Sequence, residues 1–216
     1  MGLPIAKLIC ASNENKVLYD FFDTGKYDKN RDFILTQSPS MDILISSNLE
    51  RMIYNITGMN DVSTSKLMNE LKKKGCYTID DEMKMRLVDF IGKYANEEIT
   101  STIIKDVFEK SEYLIDTHTA VAAAAAYDYK TETQDEHPII IASTASPYKF
   151  TRSVMNSLNS EYDKMSDFEL VDEMSKISGV EIPEAINEIR KAEVLHNTVC
   201  NKEDMEKEVK KILSID

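Results

Sequence analysis

Apolar residues run almost unbroken from Ile5 to Ala11, and then Val17, Leu18, Phe21 and Phe22 recur at helical spacing before Gly25. The first pattern predicts a strand, and the second a helix with Ser12 or Asn13 as its cap and Gly25 as its stop. Strand, polar corner and helix make half of a βαβ unit. A second buried strand is predicted over Pro138–Ser143, where Ile139, Ile140 and Ile141 are consecutive. Successive side chains of a strand point to opposite faces, so both faces of this run should be covered. That is the pattern of a parallel strand inside an α/β layer structure, whose carboxyl end is where such folds place ligands.

The remaining pattern is mostly helical. Ser40 can cap a helix in which Ile43, Leu44, Leu49, Ile53 and Ile56 form the apolar face, with Gly58 beyond its end. Residues 65–116 predict two or three helices around one short extended run, Cys76–Ile79. Asp116 or Thr117 can cap a helix whose body, Ala120–Ala126, is alanine except at Val121. Alanine is the best helix former and lets a helix lie close against a sheet. A further helix is expected from near Tyr148, and the Gly179–Pro183 turn separates later helices, the last ending near Leu213.

These elements predict an α/β fold: a partial three-layer αβα domain with a few mostly parallel strands and many helices. The expected organisation is one α/β domain formed by residues 1–58 and 101–155, a helical insertion or subsidiary lobe at 59–100, and a helical region at 156–216. Two convincing strands are few for a parallel sheet. Either further strands hide in segments read as helix, or the chain is part of a larger protein.

Composition narrows the function. With 216 residues and a net charge of -12, the chain can bury a core and would on average repel a nucleic-acid backbone, so no nucleic-acid partner is expected. It has no secretory segment and no apolar run near the ~18 residues of a membrane span, so a cytoplasmic protein with no membrane partner is expected. Cys10, Cys76 and Cys200 are dispersed, and no metal-ligand spacing joins them to His118, His137 or His196. No metal is therefore expected.

Three polar corners carry the candidate chemistry. Ser12, Asn13 and Asn15 follow the first strand; Ser38, Ser40 and Asp42 surround a helix start; Ser143, Thr144 and Ser146 end the isoleucine strand. Each can hold a ligand, and each can equally cap a helix or make a turn. Asp116, His118 and Thr119 add a carboxylate, an imidazole and a hydroxyl at the start of the alanine helix. A hydroxyl at Thr144 could pair with an unprotonated pyridine nitrogen, whereas an aspartate there would favour the protonated ring.

Four strings carry a resemblance to a known family: GLPIAKLICASNENKVLYDFF at residues 2–22, SPSMDILISSNLER at 38–51, DTHTAVA at 116–122 and STASPYKF at 143–150. In this order they are similar to the longer-subunit threonine synthases, pyridoxal-phosphate enzymes of the tryptophan-synthase-β group, fold type II. The resemblance implies a carbon–oxygen lyase that converts O-phospho-L-homoserine and water to L-threonine and phosphate. It carries Thr144 over as the cofactor-binding residue at the pyridine nitrogen. Ser12, Asn13, Asn15, Ser38, Ser40, Asp42, Asp116, His118, Thr119 and Lys149 are assigned to the cleft or its supporting shell, Lys149 by helix packing or anion contact rather than as the Schiff-base lysine.

The family's Schiff-base lysine motif and its Gly-Asn-Phe-Gly phosphate loop precede the Gly-Leu-Pro-Ile string, and neither motif is present here. The chain is therefore expected to correspond to the carboxyl-terminal portion of such an enzyme, with the amino-terminal portion as its partner. It is expected to have no catalytic residue of its own, no bound pyridoxal phosphate and little or no turnover alone. The alternative is an inactive scaffold or interaction domain, whose exposed apolar strand or alanine-rich helix would favour self-association.

Overall fold

The computed structural model describes residues 3–215, so Gly2, the first residue of the Gly-Leu-Pro-Ile string, lies outside the described residues. The chain divides into two units, Met1–Glu181 and Ile182–Asp216.

In the first unit, β1 (Leu8–Ser12) and β4 (Phe90–Tyr94) form a parallel pair, in register from Leu8 opposite Phe90 to Ser12 opposite Tyr94. Side-chain alternation assigns the two faces of β4. Phe90, Gly92 and Tyr94 meet α1 (Val17–Thr24): Phe90 stacks on Phe22, the Gly92 Cα lies against Tyr19, and Tyr94 packs on Tyr19. On the other face Lys93 reaches α6 (Thr117–Thr133), its ammonium 2.7 Å from Asp128 and 2.5 Å from Glu132. Helix, parallel strands and helix thus make a small three-layer αβα arrangement, and the chain is an α/β protein.

The close approach of α1 explains Gly92. A Cβ there would sit 2.9 Å from both Cα and O of Tyr19, inside backbone contact distance. Alanines supply the same closeness on the opposite face, where Ala95, Val121 and Ala124 form a buried cluster backed by Ala11.

A second pair is antiparallel: β2 (Lys26–Asp28) runs beside β3 (Cys76–Thr78), with Tyr27 opposite Tyr77 and the two rings stacked at 5.4 Å. Gly25 ends α1 at φ 77°, a left-handed value that glycine adopts without a Cβ penalty, and so starts β2 at once. Val17, Phe21, Tyr27 and Tyr77 share one core with Leu49, Ile53 and Ile56 of α2 (Leu49–Ile56) and with Met83 of α4 (Asp81–Met85). α3 (Asp61–Lys74) packs on α2 and β3, and α5 (Glu97–Ser111) on α6 and α7 (Thr151–Leu158), which in turn meets α8 (Asp167–Ser178). The second unit holds α9 (Glu184–Lys191) and α10 (Met205–Leu213).

Several expectations are corrected. The isoleucine run is not a strand: Pro138–Ser143 has no regular secondary structure and pairs with no strand among the described residues, and Ile140 is 96% exposed. A strand needs a neighbour for its amides and carbonyls, and triple isoleucine reports a suitability that no described segment satisfies. Phe90–Tyr94, read as helix, is instead the partner of β1. The first strand itself begins at Leu8, because pairing starts where the Leu8 amide reaches the Asp89 carbonyl.

Ser40 does not open a long helix. It lies within a single 3₁₀ turn, Pro39–Met41, and the chain stays irregular to Asn48. Tyr27 explains the interruption, since its hydroxyl accepts from the Ser46 amide at 2.7 Å and donates to the Leu44 carbonyl at 3.1 Å, holding that segment out of a helix. Neither Ser12 nor Asn13 caps α1, which starts after Lys16 in a left-handed conformation. The helix expected near Tyr148 opens as a 3₁₀ turn, Pro147–Phe150, before α7.

Candidate functional site

The polar corners converge into two hydrogen-bonded networks. The first gathers the loop after β1 and the segment before α2. Asp42 Oδ1 accepts from Asn13 Nδ2 at 2.7 Å, Thr36 Oγ1 at 2.7 Å and Asn15 Nδ2 at 3.2 Å, while its Oδ2 accepts the Thr36 amide at 3.0 Å. Asn13 Nδ2 also lies 3.2 Å from the buried Ser38 hydroxyl. Asn15 grips the backbone of Ile34 from both ends of its amide, donating to the carbonyl at 2.8 Å and accepting the N–H at 3.0 Å. A carboxylate with four donors is well satisfied in a partly buried site, and it fixes where both asparagines point.

The second network starts at the amino end of α6. Asp116, 1% exposed, caps the helix: its Oδ1 accepts the His118 amide at 2.8 Å and the Thr119 amide at 3.4 Å, and its Oδ2 accepts the Thr119 hydroxyl. The helix dipole and free amides favour a carboxylate at this position. His118 Nδ1 lies 3.1 Å from Asp116 Oδ1, and the Ser40 amide donates to His118 Nε2 at 3.1 Å. An acceptor Nε2 places the ring hydrogen on Nδ1, facing Asp116. Because the single Thr119 hydrogen goes to Asp116, the Ser143 hydroxyl is the donor across the 2.8 Å contact with Thr119 Oγ1.

One chain of contacts therefore runs from the Ser40 turn through His118, Asp116 and Thr119 to Ser143, the neighbour of Thr144. Phe150 covers the imidazole at 4.6 Å, and the Lys149 ammonium lies 5.4 Å from the centre of the Phe150 ring. Ser40, Ser143, Thr144 and Lys149 are exposed. Ser12 lines a cavity of about 100 Å³ with Asn13, Asn15, Lys16, Ser40 and Met41, room for a few waters or a small anion. Lys16 beside it holds its ammonium 4.8 Å over the Tyr94 ring.

Thus Asn13, Asn15, Ser38 and Asp42 meet in one network, and Ser40, Asp116, His118 and Thr119 in the other. Thr144 and Lys149 border the second without bonding into it. Sequence reasoning missed Thr36, which supplies two of the four donors to Asp42, and Glu97, whose carboxylate accepts the Gln37 amide at 2.8 Å. No spacing rule flags a lone threonine six residues before an aspartate. Among the described residues no group of three His, Cys, Asp or Glu side chains could hold a metal ion, and no helix is long and apolar enough to cross a membrane.

The family model described as the carboxyl-terminal region of threonine synthase matches residues 119–200. Threonine synthase-like 1 of Homo sapiens is 39% identical over 160 residues, which cover 73% of this chain and 21% of that protein. Threonine synthase of Saccharomyces cerevisiae is 35% identical over 195 residues, covering 82% of this chain and 38% of the enzyme. Among solved structures, yeast threonine synthase aligns with 99% of this chain and 43% of its own at 29% identity, with a TM-score of 0.78. The pyridoxal-phosphate-bound threonine synthase of Brucella melitensis aligns with 73% of this chain and 33% of its own at 34% identity, with a TM-score of 0.68. The chain thus spans between 21% and 38% of the length of these two curated relatives. The family model, the curated relatives and the solved structures lead to one conclusion: the chain belongs to the threonine synthase family and matches its carboxyl-terminal region.

Proposed function

We propose that the protein containing this chain is a pyridoxal-phosphate-dependent threonine synthase, converting O-phospho-L-homoserine and water to L-threonine and phosphate, and that this chain supplies one wall of the cofactor cleft. In this reading residues 1–58 and 101–155 form part of the cofactor-binding α/β domain, 59–100 a subsidiary lobe and 156–216 a helical region. The observation that carries it is the corner at Thr144: an exposed hydroxyl beside Ser143, which is itself held through Thr119 to Asp116.

The residues present fit one end of the cofactor. Thr144 offers a neutral hydroxyl, and Asp116, the carboxylate of the network it borders, has both oxygens occupied by donors. A neutral hydroxyl suits an unprotonated ring nitrogen, to which it would donate. When bound, pyridoxal phosphate would supply the electron sink for carbanion chemistry. Asn13, Asn15 and Asp42 hold the loop after β1 rigidly enough to orient a substrate, and Lys149 stands exposed where an anion could meet it. No residue of this chain is assigned as the Schiff-base lysine.

The test is a pair of substitutions in the complete enzyme. Thr144→Val keeps the shape and removes the hydroxyl, and loss of that hydrogen bond is expected to weaken cofactor affinity or turnover by roughly tenfold to a hundredfold. Thr144→Asp should shift the cofactor spectrum toward the protonated ring. Wild-type cofactor titration and phosphate release in Thr144→Val, with an unchanged spectrum in Thr144→Asp, would remove Thr144 from this role. A second reading, self-association of the chain as an interaction domain, is favoured by Ile140 at 96% exposure. Light scattering over a concentration series tests it, and a strict monomer would end it.

A further inference from the structure

We infer that His118 is a positioning residue that latches the Pro39–Met41 turn onto the amino end of α6, and that it does so only as the neutral imidazole with its hydrogen on Nδ1. This rests on the proposed function only in naming what the turn would position, namely the substrate side of the cleft. The latch itself stands on geometry. The turn and α6 are 78 residues apart in sequence, and the Ser40 amide donating to His118 Nε2 at 3.1 Å joins them directly. A backbone amide cannot be turned away as a side chain can, so this bond fixes the turn's main chain rather than one rotamer.

The ring is held in the accepting state from behind. Asp116 Oδ1 takes the Nδ1 hydrogen at 3.1 Å, and Phe150 lies on the ring at 4.6 Å. The same carboxylate binds the Thr119 hydroxyl, which receives Ser143, so the turn and the Thr144 corner are set by one anchor. Protonation would place a second hydrogen on Nε2, facing the Ser40 N–H. Two donors would then oppose each other and the latch would open. The charged group on the ring is Asp116 at the helix cap; the segments packed against it also carry Asp42, just after the turn, and Lys149, over the Phe150 ring.

The measurement is native-state hydrogen exchange of the Ser40 amide in the full chain, with the His118 ring followed by nitrogen and carbon NMR. His118→Phe keeps a ring against Phe150 but offers no acceptor, and His118→Gln returns an acceptor that does not titrate. The Ser40 amide should exchange about tenfold faster or more in His118→Phe, the effect of losing one partly buried hydrogen bond, and regain protection in His118→Gln. In the wild type the ring shift and the loss of Ser40 protection should follow one midpoint on acidification, a dependence absent from His118→Gln. Unchanged Ser40 protection in His118→Phe, or a ring whose hydrogen sits on Nε2, would overturn the assignment. Neither readout requires turnover, so the latch and the proposed reaction stand or fall separately.

Discussion

Asp116→Ala removes the group on which the second network converges, and the structure sets the size of the effect. Loss of a helix N-cap costs about 0.5–2 kcal/mol. The buried His118 Nδ1–H, 3.1 Å from Asp116, would lose its acceptor, adding about 1–3 kcal/mol. The Thr119 hydroxyl can turn toward Ser143, 2.8 Å away, so it adds little. The expected total is about 2–5 kcal/mol, a large part of the ~5–15 kcal/mol that holds a typical domain. With a urea dependence of about 3 kcal/mol per molar, the unfolding midpoint of the first unit should fall by roughly 0.7–1.7 M. Asp116→Asn separates hydrogen bonding from charge. Asparagine caps as well as aspartate and keeps an acceptor for the amides and Nδ1, so only the interaction with the helix dipole, about 0.3–1 kcal/mol, is lost. Its midpoint should stay within about 0.3 M of wild type. Urea melts followed by circular dichroism decide between them. An alanine variant that melts like the wild type, or an asparagine variant as weak as the alanine one, refutes the reasoning.

Three further outcomes are expected. Gly92→Ala drives a Cβ to 2.9 Å from the Tyr19 backbone and should cost about 1–3 kcal/mol as α1 is pushed from β4, read as a lower melting temperature; an unchanged one would show that α1 can give way. The Asp135 carboxyl is held down to about 2 by the His137 amide, the His137 ring and the Tyr129 hydroxyl, so its contribution to stability is present above pH ~4 and lost as pH falls through about 2. Urea midpoints of wild type and Asp135→Asn should therefore differ at neutral pH and converge toward pH 2, whereas a constant gap would contradict the linkage. Burial pushes the Cys10 thiol up to about 11, so iodoacetamide at neutral pH should label exposed Cys200 well before Cys10, as peptide mass spectrometry would show; equal rates would contradict it.

Elements whose signals are local were legible in the chain itself. The spacing of Val17, Leu18, Phe21 and Phe22 with Gly25 behind them specified α1, and the nearly uniform small residues 120–126 specified α6, with its cap narrowed to Asp116 or Thr117. Helix propensity and capping act within a few residues, so they survive without knowledge of the rest of the molecule. The short extended run at Cys76–Thr78 was legible from its own residues, which suit a strand.

What pairs with what was decided only in three dimensions. Phe90–Tyr94 reads as part of a charged helical stretch, yet β1 makes it a strand, and its glycine is intelligible only once Tyr19 lies across it. Residues 43–48 carry a helical face, but the Tyr27 hydroxyl claims their backbone from a strand 17 residues away in sequence. The isoleucine run shows the converse case, a sequence suited to a sheet whose Ile140 stands in solvent because no described strand lies beside it. The candidate residues themselves were visible as polar corners. That Asn13 and Asn15 share Asp42, while Ser40 depends on His118, was not, because hydrogen bonds between segments 27 to 78 residues apart leave no periodicity in the sequence. A strand or a network is a relation between distant segments, and only their packing creates the partner that satisfies each amide and carboxylate.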